Sequence, residues 1–211
     1  MAGGEPGWAY PELKEADAER ERLVSAFTRA AAERGYRNLT VEQVARDAGL
    51  APDRVGAHFS SKEQGMVAAQ DVFLNELWLE IVAACQVPAD WPAKVRAGLR
   101  GAIAFLAEVS TLARACAIEA AAASAAAADR QFTALERFAF LLRDGRRRYP
   151  RAAALPETTE RVLIGGVASI ICSCLLAEDP AALVALEPQL LELLLTPYLG
   201  EAEARQVAWA P

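Results

Sequence analysis

Between its prolines and glycines the chain is built chiefly from Ala, Leu, Glu and Arg, and it lacks the apolar/polar alternation of a half-buried strand. That pattern predicts an all-α protein whose helices end at its Pro and Gly residues. The first helix is expected over about 13 to 34, where Leu23, Phe27 and Ala31 or Ala30 recur at helical spacing and Gly35 stands in the position of a C-terminal cap. Thr40-Val41-Glu42-Gln43 reads as a capping box that opens a second, short helix, which Gly49 stops after about two turns. Pro52 pre-sets the first turn of a third short helix with Val55 and Phe59 on one face. Ser60-Ser61-Lys62-Glu63 reads as a second capping box, opening a long helix that reaches about Cys85.

After the break at Val87–Pro92 the composition changes. Helices are expected near 91–108, 110–127, 129–149, 157–177 and 180–199, with low-complexity alanine from Ala115 to Ala128. Arg146, Arg147 and Arg148 end one of these helices, where cations favour the negative end of the helix dipole.

A chain of 211 residues, 54% of them hydrophobic, can bury a substantial core. Its net charge of -6 argues against a generally basic, histone-like binder of nucleic acid. A local patch escapes such an average: within 34–62, Arg34, Arg37, Arg46, Arg54 and Lys62 outnumber Glu42, Asp47 and Asp53. Cys85 and Cys116 stand alone, while Cys172 and Cys174 are two apart in an apolar run, so no disulfide framework or metal-knuckle spacing is seen. Free thiols in a reducing cytosol are expected. The N-terminus has no apolar signal core. The longest apolar run, 162–177, falls short of the roughly 20 residues of a membrane span. These features predict a cytoplasmic protein with no membrane partner. With one histidine, no Gly-rich phosphate loop, no nucleophile elbow and no metal-ligand cluster, no enzyme, cofactor or metal site is expected.

Two short helices joined by Ala48-Gly49-Leu50-Ala51 match a helix-turn-helix, which presents its second helix to the DNA major groove. The wider register is more specific. Residues 30–69, "AAAERGYRNLTVEQVARDAGLAPDRVGAHFSSKEQGMVAA", resemble the N-terminal domain of the tetracycline-repressor-like (TetR) family of bacterial transcription regulators. ERGY, LTVEQVARDAGL, HF and SKE carry the resemblance, which is clear over about 50 residues. It implies a three-helix DNA-binding domain over about 13–62, preceded by a flexible N-terminus over 1–12. A larger helical domain for ligand binding and dimerisation would then occupy 63–211. It also implies that residues 52–58, with Pro52, Asp53, Arg54, Ala57 and His58 among them, face double-stranded operator DNA, and that Lys62 contacts phosphate.

Physical chemistry supports Lys62 independently, since it stands beside amides at the positive end of a helix. Thr40 offers a hydroxyl to phosphate or serves only as a cap. Arg54 has the fork geometry to read guanine, or is a solvated helix side chain. His58 donates to DNA or packs half-buried.

Several positions leave the family pattern. Ala51 provides no side-chain cap, a loss of about 1 kcal/mol. Gly56 stands where a tyrosine commonly meets the DNA backbone, and it costs about 1 kcal/mol of helix stability relative to alanine. Asp53 puts a carboxylate on a surface meant for phosphates, unless it caps the helix or accepts from cytosine, and Ala57 offers only a methyl group. Gly65 replaces an apolar residue expected beneath the motif. The family's aromatic of the first helix stands one turn early, as Phe27 with Ala31, on the same face.

In the family the last two long helices form the dimer interface, here about 157–177 and 180–199. Gly165, Gly166, Ala168 and Ser169 would permit close approach, and Leu190, Leu191, Leu194 and Leu195 form an apolar stripe, with a buried intramolecular core as the alternative. The ligand pocket is expected among the middle helices. Trp78, Phe105, Cys116, Phe132 and Phe138 are candidate apolar liners, with Arg114 and Glu119 as polar contacts. The expected function is a homodimeric regulator, a repressor released by a small, mostly apolar effector. The alternative is a member that has weakened or lost operator binding and acts as a ligand-binding or protein-interaction module.

Overall fold

The computed structural model describes residues 11–87 and 90–210, and every element among them is helical. The expected flexible N-terminus falls mostly outside these residues, as does part of the break at Val87–Pro92. Helix α1 (Pro11–Arg34) buries Leu23, Ala26, Phe27, Ala30 and Ala31 against its neighbours. Gly35, at φ 73°, ends it in the left-handed conformation that glycine adopts without strain. Helix α2 (Val41–Asp47) opens with both hydrogen bonds of the capping box: the Gln43 amide donates to the Thr40 hydroxyl, and the Thr40 amide donates to the Gln43 side chain. Gly49, at φ 68°, closes α2 as the amide of Leu50 donates back to the Ala45 carbonyl at 2.9 Å.

Helix α3 (Pro52–His58) starts at Ala51 without a side-chain cap. Helix α4 (Lys62–Gln86) starts one residue later than the capping box read from the sequence. Ser61 is the cap and accepts from the Gln64 amide, while the Gln64 side chain accepts from the Ser60 amide, so Gln64 takes the part assigned to Glu63. The N-terminal core closes where Phe59 meets Phe27 edge to face, ring centroids 5.5 Å apart.

Phe27 also resolves the Gly65 departure. A Cβ built on Gly65 would lie 2.2 Å from the Phe27 ring, so the aromatic moved one turn along α1 occupies the space that a side chain at 65 would need. The two departures form one contact.

Beyond α4 the chain continues as α5 (Trp91–Glu108), α6 (Ser110–Arg114), a π-helical turn (Ala115–Ala120) and α7 (Ala121–Ala123). Ser124 interrupts the alanine run, where an unbroken helix to 127 was expected, because its hydroxyl caps α8 (Ala125–Leu142) by accepting from the Ala127 amide. Helix α9 (Asp144–Arg148), a 3-10 turn (Pro150–Ala154) and α10 (Thr159–Leu176) follow. The expected helix over 180–199 divides into α11 (Pro180–Ala185) and α12 (Glu187–Leu199), and a helix not foreseen, α13 (Glu201–Trp209), packs back on α12. Gly200, at φ 85°, makes the corner between them.

Of the arginines at the end of α9, Arg147 and Arg148 pair with Asp144 on their own helix. Arg146 turns inward. Its guanidinium lies 2.6 Å from the carboxylate of Glu160, which is buried and also accepts from the Tyr198 hydroxyl at 2.9 Å. Arg146 therefore serves a buried ion pair rather than the helix dipole alone.

Of the two places expected for the leucine stripe, a dimer interface or an intramolecular core, the structure takes the core. Leu190, Leu191, Leu194 and Leu195 are at most 3% exposed within one chain, because α13 and α5 cover them. They form part of the core of the single chain.

Gly65→Ala is expected to lower the unfolding free energy by about 1–3 kcal/mol, the usual cost of forcing volume into a packed core. Adding Phe27→Leu should make the two changes non-additive, since the residues touch. Urea denaturation of the two single variants and the double variant measures that coupling.

Candidate nucleic-acid interface and effector cavity

Helix α3 turns Val55 inward, and the residues between its anchors face solvent: Pro52, Asp53, Arg54, Gly56 and Ala57 are exposed. A Cβ at Gly56 would meet nothing within 4 Å, so no neighbour in the protomer requires glycine there.

The two basic side chains of α3 do not extend away from the protein. Arg54 and His58 are four residues apart, hence on one face, and both reach the same carboxylate oxygen of Glu19 on α1, at 2.6 and 3.0 Å. Glu19 is 7% exposed. The His58 and Arg54 hydrogen bonds hold its carboxyl below the usual carboxylate range. This clasp fastens α3 to α1. The outer surface of α3 is consequently poor in donors, with Asp53, Gly56 and Ala57 at its centre. Of the two readings of His58, the structure matches the half-buried one, while Arg54 is neither a free solvated side chain nor turned wholly outward; sequence reasoning did not single out Glu19, because a carboxylate 35 residues upstream carries no signal of pairing.

Thr40 and Lys62 are the two residues expected from the sequence to meet phosphate. Thr40 caps α2 from an exposed position. Lys62, the first residue of α4, places its ammonium 4.4 Å from the centroid of the Tyr36 ring, a cation-π arrangement. Desolvation there pushes the ammonium below its ordinary value, with Glu63 and Glu119 acting in the opposite sense.

The larger domain holds a half-open apolar cavity of about 600 Å³ among α4, α5, α8 and α10, a size that suits a small-molecule ligand. Phe73, Leu77 and Ile81 of α4 form one wall, and Ile164, Ala168 and Ile171 of α10 face it. Of the seven residues picked from the sequence, only Phe138 lines this space.

The others lie elsewhere for identifiable reasons. Trp78 stacks on Phe138 and carries the Arg137 guanidinium on its ring. Phe105 packs on Phe73 from behind. Cys116 is buried in the π-helical turn, where desolvation raises its thiol pKa far above the ordinary value. Phe132 is 56% exposed on the outside of α8. Arg114 and Glu119 meet at the junction of the domains: Glu119 accepts from the Arg37 amide at 3.3 Å, and Arg114 pairs with Glu178 at 2.7 Å. The true liners are mostly aliphatic residues at helical spacing. Such residues read as ordinary core until the helices are assembled.

Residues 23–68 match the family of bacterial regulatory proteins, tetR family. Solved structures agree over far more of the chain. The fatty acid degradation regulator FadR from Bacillus halodurans superimposes with a TM-score of 0.67 at 17% identity, covering 84% of this chain and 94% of that one. The transcriptional regulator FadR from Bacillus subtilis, in complex with stearoyl-CoA, gives 0.64 at 17% identity, with coverage of 85% and 98%. A TetR-family regulator from Syntrophomonas wolfei gives 0.65 at 14% identity, with coverage of 94% and 97%. No curated protein matches the sequence.

Gly56→Ala is expected to raise stability by about 1 kcal/mol, since it removes a glycine from an exposed helix without a clash. Thermal and urea unfolding measure this. Glu19 has a depressed folded pKa, so its contribution is present above the pKa of an unfolded glutamate and is lost as pH falls through the folded value. Glu19→Gln should therefore flatten the acid limb of a stability-versus-pH profile.

Proposed function

We propose that this TetR-type protein is a ligand-responsive, DNA-binding transcriptional regulator that acts as a dimeric repressor and releases its operator when a mostly apolar effector binds. One observation carries the reading: α4 begins beside the DNA-facing helices at Lys62 and then forms a wall of the apolar cavity through Phe73, Leu77 and Ile81. A molecule that prefers one position of α4 changes where α3 points, and only such a preference transmits the signal. The similarity to a FadR structure in complex with stearoyl-CoA supports an effector with a long aliphatic part.

Homodimerisation follows in this reading from α10. This helix is apolar, with a mean hydropathy of 1.6, and by length and composition alone it could cross a membrane, yet only 28% of it is buried in the protomer. One side lines the cavity; the other exposes Val162, Ile170 and Leu176. At Gly165 and Gly166 an added Cβ would meet nothing, which leaves room for the helix of a second copy. The dimer thus uses α10, while the leucines of α12 stay inside each protomer.

The second reading, a protein of this fold with weakened operator binding, draws on the clasp. Arg54 and His58 are engaged by Glu19, and the centre of α3 offers a carboxylate and no side-chain donor. Phosphate contacts supply much of the affinity of such proteins, so the groups at Thr40 and Lys62 keep the regulator reading ahead.

Footprinting of the purified protein across the gene's own upstream region tests this. A protected segment with two half-sites is expected, and Lys62→Ala should weaken binding at every site while lowering the salt slope by about 1. No protection at low salt would establish the second reading instead. Light scattering at micromolar concentration should give the mass of a dimer, and Val162→Glu should shift it to the monomer.

A further inference from the structure

The clasp on α3 goes beyond what packing requires. Val55 and Phe59 already anchor α3 in the core, and Phe59 meets both the Phe27 ring and the Arg20 guanidinium, which lies 5.5 Å from its ring centroid. Glu19 adds no apolar contact to these anchors. It brings a buried carboxylate instead, and burying one is unfavourable unless partners compensate its charge. Both partners that do so, Arg54 and His58, come from the helix that turns Pro52, Asp53, Gly56 and Ala57 to solvent.

The contact engages the far end of Arg54. Its Nη2, at the tip of the side chain, lies 2.6 Å from Oε2 of Glu19, and Nε2 of His58 lies 3.0 Å from the same oxygen. A guanidinium fork suits carboxylate and phosphate alike, since both present anionic oxygens at matching spacing. Glu19 therefore gives Arg54 the kind of acceptor that a DNA backbone would bring. Arg54 and His58 are also the only residues of α3 whose side chains carry an N–H. With both turned to α1, the solvent-facing side of α3 offers the Asp53 carboxylate and small apolar groups.

We infer that Glu19 sets the DNA affinity of the protein by withholding Arg54, so that α3 meets a duplex without the charge of its one long basic side chain. The inference rests on the reading of α3 as the DNA-facing helix. It locates a limit on affinity in one buried carboxylate of α1, apart from the departures at Gly56 and Ala57. Phosphate attraction then falls to groups outside α3, Thr40 and Lys62 among them. Because its partners hold the Glu19 carboxyl below the usual range, the clasp stays charged at neutral pH and acts as a standing restraint.

Fluorescence anisotropy of the full chain with two short duplexes, one from the gene's own upstream region and one of unrelated sequence, tests this. Glu19→Gln keeps the shape of the side chain and removes its charge; Glu19→Met removes the acceptor as well, and melting curves identify which variants are folded. Each folded variant should bind both duplexes at least about fivefold more tightly than the unaltered chain, as expected when an ion pair no longer competes. The salt slope should steepen by about 1 as one more phosphate is engaged. Arg54→Met should cancel the gain when added to Glu19→Gln and cost little by itself. Glu21→Gln, the same change of charge at an exposed position of α1, should leave the affinity nearly unchanged. Binding by the Glu19 variants alone would support the clasp. Unchanged or weaker binding by those variants, a gain that survives Arg54→Met, or an equal gain from Glu21→Gln would each overturn it, while binding by the unaltered chain would still uphold the regulator reading. Failure of both Glu19 variants to fold would make the clasp a fastening of the fold and overturn it too. If neither the unaltered chain nor any folded variant binds either duplex at low salt, both readings fall.

Discussion

Gln70 is a fully buried amide in the middle of α4, and its NH2 donates to the carbonyls of Cys116 and Ala127, both at 3.1 Å. Leaving those donors unpaired in an apolar core would cost several kcal/mol, on the order of the whole net stability of a small domain. The two bonds therefore set the position of α4 against the π-helical turn and the first turn of α8. Because α4 also begins beneath α3 and borders the cavity, the relation between the two domains depends on this register. The π-helical turn contributes directly, since its wider winding places Cys116 towards α4 and leaves Glu119 free to accept from the Arg37 amide in the loop after α1.

Two buried carboxylates repeat one device at opposite ends of the molecule. Glu160 joins α9, α10 and α12 by accepting from Arg146 and Tyr198; Glu19 joins α1 to α3 by accepting from Arg54 and His58. A buried carboxylate with both partners in place is tolerated, whereas removal of one partner leaves an uncompensated charge. The first arrangement is structural. The second engages Arg54 and His58, the two basic side chains of α3. In the proposed regulator, any base contact by Arg54 would compete with its ion pair to Glu19.

Much of the N-terminal domain was legible because its signals are local. Thr40 with Gln43, Gly35, Gly49 and Pro52 each act on amides or torsions within a few residues, and each sits where its chemistry places it. The cavity was not legible in that way. Aromatic and polar candidates were chosen for their chemistry, and except for Phe138 they lie in the core, at the domain junction or on the outside of α8. Likewise, the leucines 190–195 have the spacing of an interface stripe, and the same spacing serves a protomer core once α13 folds over it.

By itself the sequence determined what depends on short range: an all-helical chain, the capping box of α2, the corners at Gly35 and Gly49, the start of α3 at Pro52, and the helix-turn-helix that those corners build. It also contained both halves of the Phe27–Gly65 contact, although each alone looked like a departure from the pattern. Only the tertiary structure decided the pairing of Glu19 with α3, the confinement of the α12 leucines, and the assembly of α4, α5, α8 and α10 around one apolar cavity. The physical reason is that caps and turns are satisfied by backbone groups a few residues away, whereas burial and charge pairing depend on which helix arrives from elsewhere in the chain.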